Sequence, residues 1–314
     1  MRTLHAVVEA RYQGAMSPAS DHWDPPDLSG QVAVVTGASR GIGRGIAEVL
    51  AECGARTYLV GRSATSAPPG RSGTLAEVAE GIASRGGDAV VAPCDLRDDD
   101  AVDALFARVR EDDGHLEILV NNAVAWEHEA DDGTQAEPGN APFMYQPPWH
   151  APRWWWDDNF TVGVRSHWLV TNAAAPLFIE GRRGVVFFTS ELRPEVPGEQ
   201  ELVLDLRGTV VERMALLFSL HLRPHLVSSL LLYPGFVRTD AIEAAFERGS
   251  DYFEGWTPER YEAKTCSLQF PGRAAATLCA DPDLPAKTGR VLTAIDIANA
   301  YGFTDTNGLV PTPL

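Results

Sequence analysis

Lysine is nearly missing from this chain: 314 residues hold only Lys264 and Lys287 among 26 basic side chains. With 43 acidic residues the net charge is −17. Phosphate backbones attract clustered positive charge, so nucleic acid is not an expected partner. Scarce lysine beside abundant arginine, alanine and glycine reads as an effect of genome composition. The four cysteines, Cys53, Cys94, Cys266 and Cys279, form no C-x-x-C pair. They fall in segments of helix or strand character, which points to reduced, mostly buried thiols and a cytoplasmic protein. No run approaches the ~18 apolar residues of a membrane span. Residues 1–28 carry Pro18, Pro25 and Pro26 but not the roughly 7-residue apolar core of a signal peptide. They read as a mobile arm, or as a product of translation starting upstream of Met16. Histidine spacing suggests no metal site.

What is present is enough for a sizeable core, since 45% of the residues are apolar. The length suits one large α/β domain, residues 29–314, better than two. Strand-length apolar runs alternate with longer segments of helical period, the pattern of a doubly wound parallel sheet, a Rossmann fold. Strands are expected at 32–36, 57–60, 89–93, 118–120, 185–189, 228–233 and 291–294. Helices are expected at 44–52, 102–110, 153–178 and 209–222. Two aromatic stretches interrupt this rhythm. Residues 125–156 hold Trp126, Tyr145, Trp149 and Trp154 to Trp156, and residues 241–270 hold Phe246, Tyr252, Phe253, Trp256 and Tyr261. Both follow strands whose C-terminal ends face the ligand crevice in such sheets. They are expected to wall a pocket for a largely apolar small molecule, or else to anchor long loops or a subunit contact.

Thr36-Gly37-Ala38-Ser39-Arg40-Gly41-Ile42-Gly43 follows the first apolar run and opens a helix. That context is a dinucleotide-binding turn: glycine lets the backbone bend sharply and approach a pyrophosphate at the positive end of a helix. Gly37, Gly41 and Gly43 fit those roles, with Ser39 and Ile42 between them. An NAD site places a carboxylate after the second strand to hold the adenosine ribose, whereas a 2′-phosphate calls for positive charge. Here the second strand ends Val60-Gly61-Arg62-Ser63, without an acid, and Arg40 lies in the glycine turn. The pair favours NADP(H); the alternative for Arg62 is a solvated surface charge.

This turn, followed in order by Cys94-Asp95-Leu96, Asn121-Asn122-Ala123-Val124 and Tyr233-Pro234-Gly235-Phe236-Val237-Arg238-Thr239, resembles the short-chain dehydrogenase/reductase family from about Leu28 to about Gly308. The resemblance implies a nicotinamide cofactor, with Asp95 and Leu96 near the adenine and Asn121, Ala123 and Val124 along the ribose. It implies that Pro234, Gly235, Val237 and Thr239 border the nicotinamide, while Asn122 is expected to support the fourth strand. A homodimer or homotetramer is also implied, packed through the helices at 153–178 and 209–222, where Val210, Met214, Leu217 and Phe218 recur at helical spacing.

The family's reaction centre is where the chain departs. A serine at the end of the fifth strand, a tyrosine about 13 residues on and a lysine four beyond hold the substrate oxygen in the family pattern, because a phenol of pKa near 10 exchanges a proton at neutral pH with help from an adjacent ammonium. Ser190 matches the serine. No Tyr-x-x-x-Lys occurs anywhere: counting onward reaches Val203 and Arg207, or in a second register Leu204 and Gly208. The helical asparagine that often completes the set aligns with Gly163. Arg207 supplies charge, but a guanidinium is a poor general acid or base. Glu191, beside Ser190, and Tyr145 are the candidate substitutes, since a carboxylate in an apolar pocket can be tuned toward neutral pH. His128, His150, His221 and His225 read as structural or surface residues. The expected function is therefore an NADP(H)-binding protein acting on a sizeable apolar carbonyl compound by a non-standard route such as cyclisation, dehydration or isomerisation. The alternatives are a weak ketoreductase or an inactive partner or sensor subunit.

Overall fold

The computed structural model describes residues 23–66, 73–125, 128–129, 135–136, 147–190, 202–250 and 253–313. Seven parallel strands form one sheet: β1 (Val32–Thr36), β2 (Arg56–Gly61), β3 (Ala89–Pro93), β4 (Ile118–Asn121), β5 (Val185–Thr189), β6 (Ser228–Tyr233) and β7 (Val291–Thr293). Their order across the sheet is β3-β2-β1-β4-β5-β6-β7. All six neighbouring pairs are parallel. Such a sheet needs helices on both faces, and period-two alternation supplies two apolar surfaces from single strands. Ala33, Val35, Val120 and Phe187 belong to one buried cluster, and Val34, Leu119, Val186 and Phe188 to the other. The strand order reverses between β1 and β4, which places a crevice at their C-terminal ends.

The first helix, α1 (Gly41–Glu52), begins inside the glycine turn, three residues before the start expected from periodicity. The next two are α2 (Leu75–Ser84), fixed by a reciprocal Thr74–Glu77 capping box, and α3 (Asp99–Asp112), capped by Asp98. His128–Glu129 pairs antiparallel with Gln135–Ala136.

The single helix expected over 153–178 is three pieces. These are α4 (Arg153–Phe160), a π-turn at Thr161–Arg165 and α5 (Ser166–Gly181). The wide turn is centred on Gly163, which has no Cβ to oppose a side chain crossing there. The following helix, α6 (Leu202–Leu222), starts seven residues earlier than expected. Val211, Ala215 and Leu222 on α6 are buried, Met214 and Phe218 pack partly against the core, and Val210 and Leu217 remain exposed. After β6 come α7 (Asp240–Glu247), α8 (Pro258–Lys264), α9 (Gln269–Cys279), α10 (Leu284–Lys287) and, after β7, α11 (Ala294–Tyr301). No helix among the described residues is long and apolar enough to cross a membrane. Cys53, Cys94 and Cys266 are buried free thiols and Cys279 is half-buried; burial pushes the Cys94 thiol up to about 11.

Candidate functional site

Thr36 and Asn122 together join three strand ends at the crevice. Its hydroxyl donates to the Val120 carbonyl (3.1 Å) and accepts from the backbone N–H of Asn122 (2.9 Å) and Ala123 (3.1 Å). The Asn122 amide donates to the Thr36 carbonyl at 2.9 Å, and Thr189 on β5 reaches Asn122 Oδ1 at 3.3 Å. Asn122 thus does the supporting work expected of it. Asn121 turns its side chain inward, donating from Nδ2 to Thr171 Oγ1 on α5 at 2.9 Å, so only its backbone is available to face the crevice.

Around this joint the glycine turn is a cradle that side chains would fill. Gly37 has φ +69°, and a Cβ there would stand 2.9 Å from Asn122 Nδ2 and 3.0 Å from the Ala123 Cα. One on Gly43 would collide with Asn122 Nδ2 and the Gly37 carbonyl. The N-cap of α1 is Arg40, which provides no side-chain cap, and the first turn holds no acid. By contrast α2, α3 and α7 are each capped by a Thr or Asp oxygen. Leading N–H groups without a side-chain cap, backed by the helix dipole, suit an anion. The residues present therefore fit the pyrophosphate of a dinucleotide.

Further contacts close the ribose-phosphate end. The Leu75 N–H donates to the Ser63 carbonyl at 2.9 Å. Two residues earlier, a Cβ on Gly73 would abut the Ser39 carbonyl and lie 3.4 Å from the Arg40 Cβ. The start of α2 therefore ties the Arg62-Ser63 segment to Ser39-Arg40, with Arg40 half-buried and Arg62 exposed. Asp95 caps its own turn by accepting from the Arg97 N–H at 3.1 Å, and Leu96 is buried. Opposite the glycine turn, a Cβ on Gly41 would meet Thr239 Cγ2 at 3.5 Å. Thr239 caps α7 by accepting from the Ile242 N–H at 3.4 Å. Val237 buries its side chain in the core.

The reaction side is built differently. Ser190 directly follows β5 and is buried. Glu191 and Tyr145 lie outside the described residues, as do Trp126 and Tyr252. Val203 and Leu204, the positions at which the two alignments put the phenol, are both buried in one cluster with Trp155, which is 0% exposed. Trp155 is thus a packing residue, whereas Trp149 and Trp156 are exposed. The second aromatic stretch forms a layer instead: Tyr261 stacks on Phe246 at 4.0 Å, and Phe253 packs edge-on to Trp256 at 5.4 Å. Burial raises the Tyr261 phenol to about 12.

The packing of α6 across the π-turn explains Gly163. A Cβ at that position would stand 2.6 Å from Arg207 Cδ. Arg207 is 6% exposed and donates from Nη1 to Asn159 Oδ1 at 2.5 Å. Its stem crosses the π-turn where only glycine leaves room. Sequence reasoning missed Asn159 and His167, and put Trp155 in a pocket wall where the structure buries it in a core cluster. His167 is 3% exposed, and its Nε2 lies 3.0 Å from the Ala123 carbonyl. A carbonyl only accepts, so Nε2 carries the proton. Burial, with Arg207 adding to it, lowers the histidine to about 4, so it is neutral at physiological pH. The available signal was spacing: His167 and Thr171 lie four residues apart, on the face of α5 turned toward β4.

Comparison with known proteins agrees with this geometry. Residues 31–248 match the short chain dehydrogenase family model. Dehydrogenase/reductase SDR family member 1 from Mus musculus is 33% identical over 290 residues, 90% of this chain and 85% of that protein. The Homo sapiens counterpart is 32% identical over 291 residues, with the same coverage. Among solved structures, a metagenomic short-chain oxidoreductase in complex with NADP superposes with a TM-score of 0.62 at 25% identity, covering 85% of this chain and 96% of that one. A putative short-chain alcohol dehydrogenase from Sinorhizobium meliloti 1021 gives 0.68 at 26% identity, covering 88% and 99%.

Proposed function

The chain belongs to the short-chain dehydrogenase/reductase family, and from that premise we propose that it binds NADP(H) but does not carry out the Tyr/Lys hydride transfer of that family. The cofactor half of this reading is supported by the glycine cradle, the α1 terminus without a side-chain cap and the arginines at 40 and 62. The NADP found in a structural relative supports it further. NADP(H) supplies a hydride donor or acceptor when bound. Ser39, Arg40, Arg62 and Ser63 would hold its adenosine phosphate, Asp95 and Leu96 its adenine, and Ala123 and Val124 its ribose. Pro234 to Thr239 would border its nicotinamide.

The observation that carries the rest is the burial of Val203 and Leu204 under Trp155. In either alignment the phenol is replaced by an aliphatic side chain in a packed core, with Arg207 fixed beside it by Asn159. Arg207 places a guanidinium at the site, a group poorly suited to act as general acid or base. Turnover then rests on Ser190 as a hydrogen-bonding group, with Glu191 or Tyr145 as proton carrier. The substrate is a sizeable, largely apolar carbonyl compound bordered by the Phe246–Tyr261 layer, and the reaction a cyclisation, dehydration or isomerisation. The same burial favours a second reading, a catalytically silent NADP(H)-binding subunit or sensor. The protein is proposed to be cytoplasmic and to form a homodimer or homotetramer through Leu206, Val210, Leu217 and Leu220 of α6 and Trp168 of α5, all exposed here.

Calorimetric titration with NADPH and NADH tests the first claim, with tighter binding of NADPH expected and equal affinity counting against it. Product analysis after incubation with apolar carbonyl compounds and NADPH separates the two readings. Substrate conversion that fails in Ser190→Ala supports the enzyme, and cofactor binding without any conversion supports the silent subunit. A monomer in sedimentation at micromolar concentration would remove the oligomer.

A further inference from the structure

The segment Pro234–Thr239 leaves the sheet after β6 and is held by a partner far along the chain. Val237 makes an isolated parallel bridge to Cys266. The Cys266 N–H donates to the Phe236 carbonyl at 2.9 Å and the Arg238 N–H to the Cys266 carbonyl at 2.8 Å. Behind this bridge stands Asp305, whose side chain is 1% exposed. Its carboxylate accepts from the Ser267 N–H (2.7 Å), the Ser267 hydroxyl and the Thr306 N–H (2.8 Å). Arg238 Nη2 lies 3.5 Å from it, while Arg238 Nη1 donates to Thr265 Oγ1 at 3.2 Å. One buried carboxylate therefore joins three stretches, 236–239, 265–267 and 304–309. A buried charge requires a counter-charge and several hydrogen bonds, and removing either partner leaves the other stranded.

The same C-terminal stretch continues over α8. The Thr312 N–H donates to the Ala263 carbonyl at 2.9 Å, and Lys264 Nζ reaches the Pro313 carbonyl. One turn away Tyr261 carries the aromatic layer. Residues 304–313 thus grip both the segment facing the glycine turn and the helix that backs the aromatic wall.

We propose that Asp305 is a positioning residue that, through Arg238 and Ser267, sets the Pro234–Thr239 segment against the glycine turn and thereby fixes cofactor affinity. The affinity part rests on the reading that this segment borders the nicotinamide. The positional part does not, and the two are measured separately. Amide hydrogen exchange is followed in the cofactor-free protein for residues 234–247 and for β1 to β4. NADPH affinity is then measured by calorimetry below the unfolding transition of every variant. Asp305→Asn and Arg238→Gln are each expected to speed exchange in 234–247 at least about tenfold while leaving β1 to β4 unchanged, and to weaken NADPH binding about tenfold or more. Arg238→Lys, which keeps the charge, should return affinity to within about threefold of the parent. If Asp305→Asn does not fold, Ser267→Ala removes one hydrogen bond to the carboxylate and should show the same local loosening at smaller size.

Unchanged exchange in 234–247, in Asp305→Asn or in Ser267→Ala, overturns the positional claim. A lowered melting temperature with unchanged exchange and affinity makes Asp305 a strut and overturns the proposal also. An unmutated protein that fails to bind NADPH refutes the cofactor reading, and the exchange comparison still decides whether Asp305 positions the segment.

Discussion

The ends of β1 and β5 open on the same crevice, yet they are built from different materials. At β1 the site is made of backbone: N–H groups at a helix start, glycines that leave space, and a threonine and an asparagine whose side chains serve the main chain of the neighbouring strand. At β5 the family's chemistry depends on single side chains, and two of their positions, whichever alignment is taken, are filled by an aliphatic residue beneath Trp155 and by an arginine or glycine. A backbone cradle needs only shape, so many residues jointly specify it. A proton donor needs one functional group at one place, and a single replacement removes it while the surrounding helix packs as well as before.

Catalysis should show the contrast at its largest. Reduction of simple ketones with NADPH is expected to fall about 10²–10⁴-fold below that of a relative possessing the Tyr-x-x-x-Lys pair, the usual cost of losing a general acid. No single tyrosine substitution should abolish what remains. Val203→Tyr with Arg207→Lys, and Leu204→Tyr with Gly208→Lys, should both stay at background, because the new phenol must compete with Trp155 for the same buried space. Steady-state assays decide this, and restoration by either pair would show that identity alone, not packing, had silenced the site.

Acid should affect the boundary between the two halves next. His167 links α5 to Ala123, and its folded-state pKa of about 4 lies below the ordinary 6.5. Above about 6.5 its contribution to stability is complete. As pH falls from there toward 4 the unfolded chain takes up the proton first, so stability should drop by about 3 kcal/mol, at roughly 1.4 kcal/mol per pH unit. Denaturant unfolding at several pH values reads this slope, and His167→Gln should flatten it.

A smaller effect is expected on the cofactor side. Gly43→Ala places a methyl group against Asn122 and the Gly37 carbonyl, and should cost about 1–3 kcal/mol of stability, the range for overpacking. Thermal unfolding measures the loss, and calorimetry should show NADPH binding abolished. The least effect falls on Arg62, an exposed residue. Arg62→Ala should reduce the preference for NADPH over NADH by about tenfold, the scale of one charge-assisted hydrogen bond. An unaltered preference would assign the 2′-phosphate to other groups.

Much of the cofactor side was legible before the fold was known. The strands at 32–36, 89–93, 185–189 and 228–233 have the expected ends, because continuous apolar runs bounded by Gly, Pro or polar residues leave little choice of register. Asn122 was read as a support, and the hydrogen bonds to Thr36 make it one. The helix at 153–178 was less legible. Its periodicity runs on through Gly163, and nothing local reports that an arginine more than forty residues later will cross there. Trp155 looked like part of a pocket wall because a tryptophan in an acidic, Pro-rich stretch gives no sign of the surface that will cover it. His167 went unnoticed for a related reason. A lone polar residue on an apolar helix face acquires meaning only when the carbonyl opposite is known.

By itself, the sequence determined the sheet, the glycine turn and the absence of the Tyr-x-x-x-Lys pair. These depend on patterns repeated over a few residues or on residue types that are simply not there. Tertiary structure alone decided that Val203 and Leu204 would lie under Trp155, that Arg207 would thread the π-turn to Asn159, and that Asp305 would reach Arg238. Those contacts join side chains distant along the chain. Their energies come from burial and charge compensation, which exist only once the core has closed around them.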